Sequence, residues 1–423
     1  MQPRRIALST LGSLGDLHPV MGLGLGLQAR GHDVVLVTSE LYRNKVEAAG
    51  LPFSTLRPLT SPDDPQMLEQ VLHSRKGPEY LIRTVLMPYL EEMYADLWRA
   101  TEGADLLISG EVVLAAPLVA EKRRLPWTSV ILAPFSFFSI HDPPAFPFLP
   151  WTQFLTRAPP AAQHLLLQVA KLVIRGWGEP IVRMRRSLGL RASRDPLLSD
   201  RFSPHLNLAM FSPVLGKPQR DWPGNTVQTG FVFYDQDEAV VGRPFEDFLL
   251  SGSAPITFTL GSAAVMQPGR FFEESVAAAR LLGRRALLLM GKNAPPQGLA
   301  GDVFVAEYAP YSGVFHRSAA VAHQGGVGTS AQALRAGVPQ LVMPYAFDQP
   351  DNAMRVRRMG VGLSIGRRSY GAAAAARRLE RLLAGPFAGR ARQIAQLVSS
   401  EDGLSVACDT VEHTLATLYH SGA

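Results

Sequence analysis

The sequence predicts an α/β protein made of two doubly wound domains that face each other across a cleft. Three observations lead there. The chain has 423 residues, and at roughly 100 to 200 residues per domain two domains are the simplest count. A strand, a glycine loop, a helix and a second strand open the sequence. The same alternation then restarts after a turn-rich stretch near the middle of the chain.

The opening unit reads as a strand over Arg5 to Ser9, a glycine loop from Leu11 to Asp16, a helix from Pro19 to Arg30, a stop at Gly31 and His32, and a strand from Val34 to Thr38. Short apolar runs at Leu106 to Ser109 and Ser129 to Leu132 extend a parallel sheet. Between residues 213 and 246, Pro213, Gly216, Pro218, Pro223, Gly224 and Pro244 break any helical period and mark the domain boundary. Strands follow at Ile256 to Leu260, Ala286 to Met290, Val303 to Ala306 and Ala319 to Ala322, with a helix near Arg270 to Leu282. Ala372 to Leu383 and Leu404 to Tyr419 read as closing helices. The expected division is 1–230, 231–400, and a terminal helix over 401–423 that packs back on the first domain.

Hydrophobic residues make up 47% of the chain and charged ones 18%, a composition that builds large cores and excludes intrinsic disorder. The single cysteine, Cys408, excludes an internal disulfide, a thiolate zinc site and an iron–sulfur cluster. The first ten residues run straight into a strand without the pattern of a signal peptide, and no apolar run reaches the roughly 20 residues that span a bilayer. A cytoplasmic protein is expected, with peripheral contact at the inner membrane face left open. The net charge of +6 favours anionic partners, yet the basic residues are dispersed and no nucleic-acid-binding module is recognisable.

The chemistry concentrates in residues 323–329, His-Gln-Gly-Gly-Val-Gly-Thr. A strand ends at His323, Gly325, Gly326 and Gly328 let backbone N–H groups approach a ligand, and a helix beginning near Thr329 aims its positive end at the same point. Such a constellation binds phosphate. His323 offers a side-chain donor, Thr329 a hydroxyl, and Gln332 lies one turn further on, within reach of a ribose. The next strand leads into Asp348-Gln349, a carboxylate and an amide suited to sugar hydroxyls.

With Asp-Gln-x-x-Asn-Ala following His-x-Gly-Gly-x-Gly-Thr, the chain resembles the family 1 glycosyltransferases, inverting enzymes of the two-domain GT-B architecture, over nearly its whole length. Within that family it looks most like the rhamnosyltransferases of rhamnolipid synthesis and bacterial natural-product glycosyltransferases. The resemblance implies that His323, Gly326, Gly328 and Thr329 hold the diphosphate of a UDP- or dTDP-sugar. Gln332 takes the place of the usual ribose-binding Glu, and Asp348 with Gln349 binds the sugar. Ser262, in Thr259-Leu-Gly-Ser, falls where the family puts a small residue against the phosphates. In Glu307-Tyr-Ala-Pro, Tyr308 would stack on the base and Ala309 read its edge through the backbone.

An inverting transfer needs a base for the acceptor hydroxyl. The loop after the first strand offers Asp16 and His18, and the carboxyl ends of strands are where open α/β sheets bind ligands. The Gly15-Asp16-Leu-His-Pro19 segment aligns with the Gly-Asp-x-x-Pro of bacterial members, so Asp16 is the expected base and His18 the runner-up. Asp16 also suits a helix cap. Glu111 is a weaker candidate for an acid that partners the base. Phe135, Phe137, Phe138 and Phe146 lie in a segment too rich in proline for a regular helix, and are expected either to line an apolar acceptor pocket or to pack into the core. Lys171 to Arg194 mixes bases with apolar residues, a pattern suited to an anionic lipid surface or a solvated face.

The expected activity is transfer of a hexose from a UDP- or dTDP-sugar to a hydrophobic hydroxylated acceptor, with no cofactor and no metal, since there are no clustered histidine ligands and the helix end after His323 can neutralise the diphosphate. The alternatives are a nucleotide-sugar epimerase or a non-catalytic nucleotide-sugar-binding protein of the same fold. An oxidoreductase is disfavoured because Gly12-Ser-Leu-Gly-Asp lacks the order of a dinucleotide-binding loop.

Overall fold

The computed structural model describes residues 2–59, 64–145, 159–193, 195–235 and 242–420. Strands β1 (Arg5–Ser9), β2 (Asp33–Thr38), β3 (Phe53–Thr55), β4 (Leu106–Gly110), β5 (Trp127–Ile131), β6 (Leu206–Ala209) and β7 (Thr226–Gln228) form one sheet in the order β3-β2-β1-β4-β5-β6-β7. Strands β8 (Ile256–Thr259), β9 (Ala286–Leu289), β10 (Val303–Ala306), β11 (Ala320–His323), β12 (Gln340–Val342) and β13 (Gly362–Ser364) form a second, in the order β10-β9-β8-β11-β12-β13. Every strand pair is parallel.

The first strand shows why the sheets are buried on both faces. Ile6 and Leu8 point into one core with Met21, Leu23 and Leu36. Ala7, on the opposite side of the pleat, packs with Val37 and Leu107 in another. The last helix, Gly403–His420, adds Ala407, Cys408, Val411 and Leu415 to the core of the first domain. A further cluster joins Ile131 and Phe211 of the first domain to Leu334, Ile394 and Val398 of the second, so an apolar seam holds the two together.

One boundary differs from expectation in a way that matters for function. The first helix runs from Leu14 to Ala29 instead of starting at Pro19. Ser13 caps it, and Pro19 sits inside it without breaking it. Asp16 and His18 therefore belong to a helix start and not to a loop.

Candidate active site

One cavity of about 560 Å³ lies between the domains, at the carboxyl ends of both sheets. From the first domain it is lined by the Gly12–Asp16 helix start, by Glu111 after β4, and by an apolar chamber that includes Leu72, Ile82, Leu86, Ile174 and Trp177. The second domain contributes Ser262, Gln324, Gly326, Gly328, Thr329, Asp348 and Gln349.

Asp16 is fixed by its own helix. Its Oδ2 accepts from the backbone N–H of Ser13 at 2.8 Å and from the Ser13 hydroxyl at 3.0 Å, closing a capping box. Gly12, at φ +122°, lets the chain pass against this carboxylate, since a Cβ there would lie 2.4 Å from Oδ2. Among the described residues Oδ1 accepts no hydrogen bond. Burial raises the carboxyl above its ordinary pKa, and the two Ser13 hydrogen bonds pull the other way. The carboxylate thus serves as cap and still keeps one oxygen for a proton. His18 lies outside the cavity lining, its ring 5.1 Å from that of Tyr234.

Facing Asp16 is the helix Val327–Ala336, whose N-cap is Gly326 and whose first turn carries no side-chain cap. Its first N–H groups are thereby left for a ligand at the positive end of the helix. The two helix starts nearly touch, for a Cβ built on Gly328 would lie 3.7 Å from the Cα of Gly15. Across the same gap the backbone N–H of Leu14 donates to Ser262 Oγ at 3.2 Å. Gly325 adopts φ +87°, and a Cβ there would meet Val342 at 2.5 Å, so the loop requires glycine.

His323 departs from the expected side-chain contact with phosphate. Its ring is fully buried outside the cavity lining, with Nδ1 accepting from the Gly325 N–H at 3.0 Å and Nε2 2.9 Å from Gln340 Oε1. Since Nδ1 accepts, Nε2 carries the proton, and both nitrogens are occupied. Burial pushes the ring's pKa down to about 4, which keeps it neutral. The residue sets the shape of the glycine loop and adds no charge to it.

Gln332 is likewise held away from the cavity. Its Oε1 accepts from Arg335 at 2.8 Å and its Nε2 lies 3.5 Å from Asp235, which Arg335 grips with two bonds of 2.7 Å. Tyr308 is 42% exposed at the end of β10, outside the cavity lining, and Ala309 is fully buried beside Val314 and Phe315.

Asp348 and Gln349 do reach the cavity. Gln349 Oε1 accepts from the backbone N–H groups of Tyr345 and Ala346 at 2.9 and 3.3 Å, which leaves its amide nitrogen for a ligand. Asn352 donates to Asp348 Oδ2 at 2.7 Å and to the carbonyl of Gly325 at 2.9 Å, and so couples the two loops. Burial, chiefly, pushes the Asp348 carboxyl up to about 7.

The aromatic segment divides. Phe135 and Phe138 line the cavity. Phe137 does not: it stacks on Trp222 with ring centroids 3.9 Å apart and belongs to the core, because the turn Pro134–Phe137 sends it inward before Phe138 reverses at φ +47°. Phe146 lies outside the described residues, as does Arg194. The basic segment is not one face, since Arg185 is buried against Glu121 and Arg175 pairs with Asp195.

Three features of the site carried no sequence signal. Arg201 lies on the chamber wall beside Glu111. Asp142 pairs with Arg355 across the domains at 2.5 Å. Asp351, buried on the same helix as Arg355, accepts from the N–H of Ala145 at 2.9 Å. Only proximity in the fold brings these residues together.

Residues 6–97 match the glycosyltransferase family 28 N-terminal domain, and residues 291–405 match the erythromycin biosynthesis protein CIII-like C-terminal domain. The chain is 36% identical to O-mycaminosyltylonolide 6-deoxyallosyltransferase of Streptomyces fradiae over 98% of both proteins. It is 25% identical to a sterol 3-beta-glucosyltransferase of Cryptococcus neoformans, over 98% of this chain and 27% of that protein. The spinosyn rhamnosyltransferase solved with thymidine diphosphate superposes with a TM-score of 0.67 at 19% identity, covering 97% of this chain and all of that one. With both domains matched in order and a full-length relative above 30% identity, the chain belongs to the family 1 glycosyltransferases of GT-B architecture.

Proposed function

We propose that the protein is an inverting glycosyltransferase that moves a hexose from a dTDP- or UDP-sugar to a hydroxyl of a hydrophobic, polyketide-like acceptor. One observation carries the reading. Asp16 and an uncapped helix start face each other across one cavity that opens into a largely apolar chamber. The acceptor body occupies the apolar chamber, and the diphosphate lies at the N-terminus of the Val327–Ala336 helix. As the acceptor oxygen bonds to the anomeric carbon, its proton passes to Asp16. The bond from that carbon to the diphosphate oxygen breaks, and its electron pair leaves with the nucleoside diphosphate, where the helix N–H groups and Thr329 stabilise the growing charge. A raised pKa makes Asp16 a stronger base than an ordinary carboxylate.

In this reading Asp348 and Gln349 hold sugar hydroxyls, Tyr308 stacks on the base and the backbone of Ala309 reads its edge. Gln332 reaches the ribose only by releasing Arg335. The relative named for transfer to O-mycaminosyltylonolide and the thymidine diphosphate bound by a structural neighbour support the acceptor class and the donor base. The test is incubation with dTDP- and UDP-hexoses and a panel of macrolactones, followed by product mass and anomeric configuration. A glycoside with inverted configuration is expected, whereas a retained configuration or free sugar alone contradicts the reading.

A peripheral membrane contact has a more specific locus than the basic run. On the helix Pro160–Arg175, Leu165, Val169, Leu172 and Val173 are each more than half exposed, and the helix carries Lys171 and Arg175 with no acidic residue. This stripe fits an anionic bilayer surface. Co-sedimentation with phosphatidylglycerol vesicles, lost in Leu165→Gln/Leu172→Gln, tests it.

A further inference from the structure

The wall of the apolar chamber carries an ion pair that is not closed. Arg201 and Glu111 both line the cavity. Their nearest charged atoms, Arg201 Nη1 and Glu111 Oε1, stand 3.7 Å apart, too far for a hydrogen bond. Glu111 Oε1 and Arg201 Nε are both shielded from solvent and have no hydrogen-bond partner among the described residues.

The rest of each side chain is tied down. Ser136 Oγ donates to Glu111 Oε2 at 2.7 Å, Arg201 Nη2 donates to the Ser136 carbonyl, and the guanidinium lies over the rings of Phe138 and Phe202. These contacts hold the two groups at that separation. Buried charged atoms without partners are costly, and one oxygen atom placed beside Arg201 Nη1 and Glu111 Oε1, accepting from the guanidinium and donating to the carboxylate, gives Oε1 its missing partner and bridges the 3.7 Å gap. Asp16 is near enough for its charge to raise the Glu111 carboxyl further, after burial, so the pair adjoins the reacting end of the cavity.

We propose that Glu111 and Arg201 form an acceptor-reading subsite that binds a second oxygen function of the acceptor, distinct from the hydroxyl that receives the sugar. This rests on the transferase reading above and narrows its acceptor class. The natural acceptor carries at least two oxygen functions on an apolar frame, as a macrolactone polyol does. An acceptor with a single hydroxyl, such as a simple sterol, strands the ion pair. Discrimination of this kind is strong, because the analogue that lacks the group leaves buried charges unpaired.

The test compares a macrolactone polyol that the wild-type enzyme glycosylates with the same ring in which every hydroxyl but the reacting one is methylated, and with a monohydroxy sterol. A kcat/KM ratio of about 100-fold or more in favour of the polyol is expected. The double variant Glu111→Leu/Arg201→Met removes both charges together and avoids an uncompensated one. It should fold, lose most of its activity on the polyol through KM, and no longer distinguish the two macrolactones. Glu111→Gln, which keeps a carbonyl oxygen, should recover part of the preference. Quenching of tryptophan fluorescence, with Trp177 on the cavity wall, gives the same comparison for binding without turnover. Equal use of polyol and methylated ring by the wild type, or equal loss on both in the double variant, overturns the proposal and makes the pair purely structural. Failure to transfer sugar to any acceptor while the polyol still binds selectively would instead count against the transferase reading.

Discussion

Asp348, pushed up to about 7 chiefly by burial, also feels the carboxylate of Asp16 across the cleft. The two acids belong to different domains and are set apart in role by their surroundings, as paired carboxyl groups often are. Near neutrality Asp348 holds its proton for much of the time and can donate to a sugar hydroxyl.

A pH dependence of stability follows. Between the ordinary carboxyl value of 3.8 and about 7, the folded chain keeps a proton on Asp348 that the unfolded chain has lost. Stability therefore falls as pH rises through that window. Melting temperatures of wild type and Asp348→Asn between those limits should converge at the acid end and separate toward neutrality, with the variant the more stable there.

Ser13→Ala removes the hydroxyl that caps the first helix and bonds Asp16. A loss of about 1 kcal/mol is expected from the cap, together with a lower kcat as Asp16 loses its fixed orientation. Denaturant unfolding and steady-state kinetics check the two effects separately.

His323→Ala should act through structure. It strands Gln340 Oε1 and the Gly325 N–H, at about 1–3 kcal/mol for each buried group left unpaired, and loosens the glycine loop so that donor affinity falls. Because the ring's pKa is held down to about 4, donor affinity in the wild type should show no histidine titration between pH 5 and 8. Calorimetric titration with dTDP over that range is the measurement.

Asp142→Asn weakens the pair that ties the loop before Ala145 to Arg355 on the helix Gln349–Arg358. Domain closure completes sites of this kind, so kcat and KM should change together and small-angle scattering should show a more extended molecule. An unchanged scattering profile with unchanged kinetics would remove the pair from domain closure.

The architecture was legible because parallel strands buried on both faces read as short apolar runs, as Ala286–Leu289 does. The helix start at Leu14 was not, since Pro19 suggested a boundary that the capping box of Ser13 and Asp16 overrides. Gly22, Gly24 and Gly26 lie in the middle of that helix. Gly26 is explained by the terminal helix, for a Cβ there would lie 2.8 Å from Leu404 and 2.9 Å from Cys408. The glycine loop at residues 324–328 was readable from its glycines and its following helix. The engagement of His323 by Gln340, and of Gln332 by Asp235, was not, because both contacts join residues that only the fold brings together. Arg201 meets Glu111 only in the fold as well.

In the proposed reaction Asp16 takes the acceptor proton while the helix start at Val327 holds the departing diphosphate. Acceptor-dependent release of dTDP or UDP by Asp16→Asn, measured beside calorimetric donor affinity in the same preparation, tests it most directly. Transfer is expected to fall by a factor of about 100 to 10,000 while donor affinity and melting temperature stay near wild type. Transfer at the wild-type rate with donor affinity intact would contradict it.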